Sequence, residues 1–229
     1  MSTPTPDFEK KFVAAIRKNL RDVVTELENG DKNLKKKIKT FSSRFAFVES
    51  QVKAKIRDDE MFRAFFAKDP GKQKIHENIA AAFIANIPTV SNFKQLAHDD
   101  TQLLGGAVIS RKDARKGGGT SRAKSLDFYW ETCGIKVYAS HKYTKSSGGA
   151  QDNQYRDLQE FIREANQSNL RGAIFLAIAD GKYYLTNDAE TDTTKLARLK
   201  RLTNRENVFA LSIAEIEAFL DELCMKSQK

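Results

Sequence analysis

Residues 124–164 read KSLDFYWETCGIKVYASHKYTKSSGGAQDNQYRDLQEFIRE, the most strongly patterned stretch of the chain. The aromatic run Leu126-Asp-Phe-Tyr-Trp130 predicts a strand with one carboxylate, Asp127, near its start. Thr132-Cys-Gly134 supplies a turn signal, and Ile135–Tyr143 predicts a second strand. Two strands joined by so short a glycine-containing loop form a hairpin, which brings Asp127 and Lys142 to one end of a sheet. A glycine-rich bend, Ser146–Gly149, then leads to a helix expected from about Asp152 to Asn166. Its N-cap is expected at Asp152 or Asn153, and Leu158, Phe161, Ile162 and Ala165 keep helical spacing.

One acid and one lysine on neighbouring strands suit a specific chemistry. A carboxylate binds Mg²⁺ through oxygen, and the ion keeps several waters. A nearby lysine orients or deprotonates a water, or stabilises charge on a phosphate in the transition state. Together they suit metal-assisted phosphodiester cleavage. Spacing alone favours the plainer assignment, an edge aspartate and a solvated lysine in a hairpin.

Residues 125–158 resemble the core of the PD-(D/E)xK nuclease superfamily, in particular its type II restriction endonucleases. That pattern is an aspartate, a hairpin, acid-x-Lys on the next strand, then a helix. Asp127 matches the first acid and Lys142 the lysine, and the run from Lys142 to Gln154 resembles the segment after the lysine in a subset of these enzymes. The chain departs from the pattern at Ser140, which stands in place of the second acid, and no proline precedes Asp127. In members with Ser-x-Lys the following helix supplies the missing acid, which here implies Asp157 or Glu160. Members also borrow an acid from an early helix, which makes Glu77 a candidate ligand. The resemblance implies a Mg²⁺ cofactor held by Asp127 with Glu160, Asp157 or Glu77. It also implies a catalytic Lys142, with Ser140 at most bridging through water, and a restriction-endonuclease-like fold. It covers roughly the C-terminal half of the chain.

Charge points toward a polyanion. The 229-residue chain has a formal net charge of +9. Between residues 111 and 145 nine Lys/Arg face three acids, an excess that clusters beside Asp127. Neutralising phosphates releases counterions, so double-stranded DNA is the natural partner. The candidate contacts are Arg111, Lys112, Arg115, Lys116, Arg122, Lys124 and Lys145. Gln151, Asn153 and Gln154 are candidates for base readout. The loop Gly117-Gly-Gly119 permits close approach to phosphates, but no Gly-Lys-Ser/Thr comes after it, which argues against a nucleotide cofactor. Two cysteines and no signal-peptide pattern predict a cytoplasmic protein without a disulfide framework. No apolar run approaches the ~20 residues that span a bilayer, so no membrane association is expected.

Along the chain, Met1–Pro6 is expected to be a disordered lead. Residues 7–28 carry a helical apolar stripe that Asn29-Gly30 stops. A basic run opens a helix near Lys32 that continues toward Phe66, with a break expected around Thr40–Ser43. Gln73–Asn86 predicts a further helix, and Asn92–Ala97 a short one. Leu103–Ile109 predicts a turn into a strand. Arg171–Ala179 is a continuous apolar run, the mark of a strand buried on both faces. Asp180-Gly181 is expected to turn it into a hairpin with Lys182–Thr186. A basic helix at 193–203, a strand at Val208–Leu211 and a capped helix from Ser212 to about Met225 complete the chain.

These elements predict one α/β domain over residues 1–229, which the resemblance implies is a nuclease domain. It has a mostly helical part (1–100), then a catalytic core (101–229) of mixed central sheet flanked by helices. Two function classes are compatible with this reading. The first is a type II restriction endonuclease, a Mg²⁺-dependent, site-specific deoxyribonuclease acting as a homodimer whose two-fold axis matches a palindromic site. The second is a non-catalytic basic nucleic-acid-binding protein on a nuclease-like fold, which Ser140 favours. A junction or repair nuclease is the enzymatic alternative.

Overall fold

The computed structural model describes residues 3–69, 73–96, 101–110, 112–113, 123–145, 149–188 and 192–227, with backbone alone at 149–151. Two compact units are present, one of residues 7–79 and one of residues 1–6 and 80–229.

The first unit is helical. Asp7 caps α1 (Phe8–Glu28) by accepting from Lys10 N at 2.9 Å. Asp31 caps α2 (Lys32–Phe45) in the same way from Leu34 N at 2.8 Å. The break expected at Thr40–Ser43 falls later, at Ala46, whose left-handed backbone (φ 55°) closes α2 with Phe47 N bonded to Ser42 O. Residues 40–43 stay helical because Ile38 and Ser42 bury one face there. α3 (Glu49–Asp58) and the short α4 (Glu60–Arg63) come next. Val23, Leu34, Ile38, Val52, Ile56 and Phe66 form the core. The division between units falls within α5 (Ile75–Ala85).

The second unit is α/β. Its five-stranded mixed sheet contains β1 (Ser91–Gln95), β5 (Phe128–Thr132), β6 (Ile135–Tyr143), β7 (Ala173–Asp180) and β10 (Val208–Leu211), in that order. β1, β5 and β6 pair antiparallel; β6, β7 and β10 pair parallel. β2 (Thr101–Leu104), β3 (Ala107–Ser110) and β4 (Lys124–Ser125) form a smaller antiparallel sheet. β8 (Asn187–Asp188) pairs with β9 (Thr193–Thr194). The long helix α6 (Gly149–Ala165) and α8 (Lys195–Leu202) supply Leu158, Phe161, Ile162, Leu196 and Leu199 to one core with Phe175, Ala177 and Ala179 of β7. α9 (Ile213–Ser227) buries Ile213, Ile216 and Leu220.

The predicted hairpin is present. Thr132 pairs with Ile135 across Cys133 (φ 48°) and Gly134 (φ 79°), the two positive φ values that a tight turn matched to strand twist requires. β7 is buried along its whole length, as its apolar run predicts.

Several expectations are corrected. Lys182–Leu185 is a short helix, α7, and makes no hairpin with β7. Gly181 (φ 92°) turns the chain hard against the Thr144 carbonyl, where a Cβ would overlap it, and Tyr183 N then bonds Thr144 O. Residues 91–95 form the edge strand β1 rather than a helix, because pairing with β5 overrides the local helical pattern. α6 begins at Gly149, so Asp152 sits in its first turn and is not the cap; its carboxylate accepts from the Tyr183 hydroxyl. Thr3 N donates to Glu217 Oε2 at 2.7 Å, which ties the leading segment to α9. Cys133 and Cys224 are disulfide-bonded, with Cα atoms 5.4 Å apart, where no bridge was expected. Among the described residues no helix is long and apolar enough to cross a membrane.

Candidate active site

Asp127 sits where the chain passes from the small sheet to the large one. Leu126 N bonds Thr101 O beside β2, while Asp127 N bonds Ala139 O and Leu96 N bonds Asp127 O. The register Phe128↔Ala139 therefore sets Asp127 opposite Ser140. Opposed residues share a face, and residues two apart on a strand share a face, so Asp127, Ser140 and Lys142 lie on one side of the sheet. Lys142 stands about 7 Å along the strand from Ser140. On neighbouring β7 their partners are Ala177 and Ala179, both fully buried in the core.

The Asp127 carboxylate is buried and held by one oxygen. Oδ2 accepts from His141 N at 2.8 Å and from Ser140 Oγ at 3.3 Å. Oδ1 accepts no hydrogen bond among the described residues. Ser140 thus bonds the aspartate directly. Lys142 is half-buried and has no carboxylate partner among the described residues.

His141 points to the opposite face. Its Nε2 lies 3.3 Å from Asp180 Oδ2, both side chains being almost fully buried, and Asp180 Oδ1 accepts from Ile213 N at 3.0 Å. Asp180 therefore links β6, β7 and the start of α9, where a helix N-terminus favours a negative group. Sequence reasoning took Asp180 only as part of a turn. An acid closing an otherwise unbroken apolar strand was the signal for a buried, paired carboxylate.

Asp157, Glu160 and Glu77, the acids expected to complete the site, each have a basic partner. Lys124 Nζ lies 3.6 Å from Asp157 Oδ1 and bonds the Glu160 carboxylate. That bond holds the Glu160 carboxyl below the usual glutamate range. Lys124, expected to meet DNA, is half-buried in this pair. Glu131 accepts from Tyr129 Oη at 2.5 Å and from Asn92 Nδ2 at 2.8 Å, and these bonds lower its pKa as well. Glu77 belongs to the helical unit, where its carboxylate lies 3.3 Å from Lys74 Nζ. Among the described residues no group of three or more His, Cys, Asp or Glu side chains could hold a metal ion.

The remaining candidates divide by position. Arg111, Arg115, Lys116 and Arg122 lie outside the described residues, as does the side chain of Gln151. Lys112 and Lys145 are exposed, and so is Asn153 on α6. Gln154 Oε1 accepts from Thr144 Oγ1 at 2.8 Å, which ties the first turns of α6 to the end of β6. Tyr183 of α7 bonds Asp152 in the same turns of α6. Burial, followed by that carboxylate, pushes the Tyr183 phenol well above its ordinary pKa.

No protein-family model matches the sequence, and no curated protein matches it. Among solved structures, protein VC1899 from Vibrio cholerae is similar at 11% identity with a TM-score of 0.34, over 99% of this chain and 58% of that one. The chain thus spans under two thirds of that protein's length, and a likeness at this level carries no argument about fold or function.

Proposed function

We propose that the protein is a Mg²⁺-dependent deoxyribonuclease of the type II restriction class, cutting double-stranded DNA at a short specific site as a homodimer. The observation that carries this reading is the common face of Asp127 and Lys142, with the aspartate pinned through Oδ2 and its other oxygen left for a ligand. An antiparallel hairpin, then α6, then the parallel β7 also supports a restriction-endonuclease-like arrangement of the sheet.

The residues fit Mg²⁺ as one fixed carboxylate. Mg²⁺ is commonly bound by one or two carboxylates with substrate phosphate and waters. Asp127 would hold the ion, which when bound supplies a polarised phosphate and an acidified water. Ser140 and the His141 amide keep the carboxylate aimed. Lys142 orients the attacking water or stabilises charge on the phosphate oxygens. Exposed cationic residues, Lys112 and Lys145 among them, would grip the DNA backbone.

The engagement of Asp157 and Glu160 with Lys124 favours a second reading, a DNA-binding protein that does not cut. Incubation with DNA of known sequence, with and without Mg²⁺, separates the two. Discrete fragments are expected from the wild type. Asp127→Ala should abolish them, and Lys142→Ala should slow cleavage by about 10²–10⁴-fold while DNA binding persists. Binding without any Mg²⁺-dependent cleavage would establish the non-catalytic reading, and cutting confined to branched DNA a resolvase.

A further inference from the structure

The helical unit has a surface that the active-site reading does not use. Six of the chain's 15 phenylalanines fall between residues 41 and 66. Phe41 is their hub, with ring centroids 4.8 Å from Phe45, 6.0 Å from Phe65 and 5.2 Å from Phe66. Phe66 is buried, but Phe45 is 53% and Phe65 70% exposed. Single exposed apolar residues are ordinary; a contiguous aromatic patch is not. These rings line an open cleft of about 610 Å³ with Lys36, Lys37 and Arg44.

The charge around the cleft has one sign. α2 carries five lysines and Arg44 and no acid. Among the described residues, Lys32, Lys35, Lys36, Lys39 and Arg44 meet no carboxylate, since the unit's ion pairs involve other lysines. Lys37 Nζ donates to Phe66 O at 2.8 Å, which holds its stem along the cleft wall.

We infer that this cleft binds single-stranded nucleic acid, stacking an unpaired base on Phe45 and Phe65 while Lys36 and Arg44 meet the flanking phosphates. Flat aromatic faces beside cations are the combination that takes bases without sequence preference. A duplex keeps its bases stacked inside and offers nothing to such rings. An anionic bilayer takes up protruding apolar side chains and has no use for a cleft. The assignment does not rest on the nuclease reading.

The test uses the full-length protein in EDTA, with a fluorescein-labelled oligothymidylate followed by anisotropy and a duplex of equal length as comparison. Phe45→Ala and Phe65→Ala, both at exposed positions, should each weaken single-strand binding by about fivefold to about a hundredfold, the loss of one stacked base. Duplex binding should change little. Phe65→Trp should retain the affinity, and oligothymidylate should quench its added fluorescence. Lys36→Ala with Arg44→Ala should flatten the salt dependence. Unchanged single-strand affinity in both alanine variants would overturn the assignment. So would loss of binding to phosphatidylserine vesicles alone, which would mark a lipid surface, or loss of self-association alone, which would mark a contact between copies.

Discussion

At Asp127 the sheet does what a metal-binding carboxylate needs. Two donors fix one oxygen, so the other is presented without further loss of rotamer freedom. Ser140→Ala removes one of those donors but leaves the His141 amide. Supporting groups of this kind are worth about 10–100-fold in metal affinity. The Mg²⁺ concentration for half-maximal cleavage should rise by about that factor while the thermal midpoint barely moves. Asp157 and Glu160 face a different test. If they serve only Lys124, Asp157→Ala and Glu160→Ala should leave the Mg²⁺ dependence of cleavage unchanged. A loss of orders of magnitude in either would place that acid in the proposed metal site. Their value as ion-pair partners is small. The Glu160 carboxyl is held below its ordinary pKa, so the pair's contribution is present above that ordinary value and fades as pH falls through the lowered one. With about half of the side chain exposed, the effect stays under about 1 kcal/mol, read as a slight narrowing of the wild-type advantage over Glu160→Ala in acid.

The hairpin β5–β6 and the helix after it are fastened at both ends. Thr144 and Tyr183 hold the start of α6 through Gln154 and Asp152. At the far end the turn residue Cys133 is bridged to Cys224 of α9, 91 residues along the chain. Closing a loop of that length restricts the unfolded chain, an effect typically worth about 2–4 kcal/mol. Cys133→Ser should therefore lower the urea midpoint of the oxidised protein. The variant should also lose the wild type's sensitivity to reductant. Equal midpoints for oxidised wild type and variant would show that the bridge contributes nothing.

Across the whole molecule, the charge of +9 bears on the proposed approach to DNA more than on how the chain folds. Affinity for duplex DNA should fall linearly with log salt. If residues 111–122 meet phosphates, neutralising Arg115 and Lys116 should reduce that slope by about 0.9 per lost contact. An unchanged slope in a titration from low to moderate salt would put these two residues away from DNA. A change confined to single-stranded DNA would implicate them with the unpaired strand instead.

Local pattern is enough to specify the strands and helices that bury a clean periodic face. The Cys133-Gly134 turn, the unbroken apolar β7 and the Leu158–Phe161–Ile162 face of α6 are local patterns, and burial enforces each. Hairpin register is set by the turn, so Asp127 and Lys142 could be placed at one end of a sheet from residue order alone. The tertiary structure decided what depends on partners distant in sequence. Residues 91–95 became a strand because β5 offered an edge, and Lys182–Leu185 a helix because Gly181 meets Thr144. Asp157 and Glu160 met Lys124 because α6 lies beside β4, and the two cysteines met because α9 ends near the β5–β6 turn. Carboxylates and thiols carry no periodic signal. Which lysine or cysteine each finds is set by how the packed elements bring the chain back on itself.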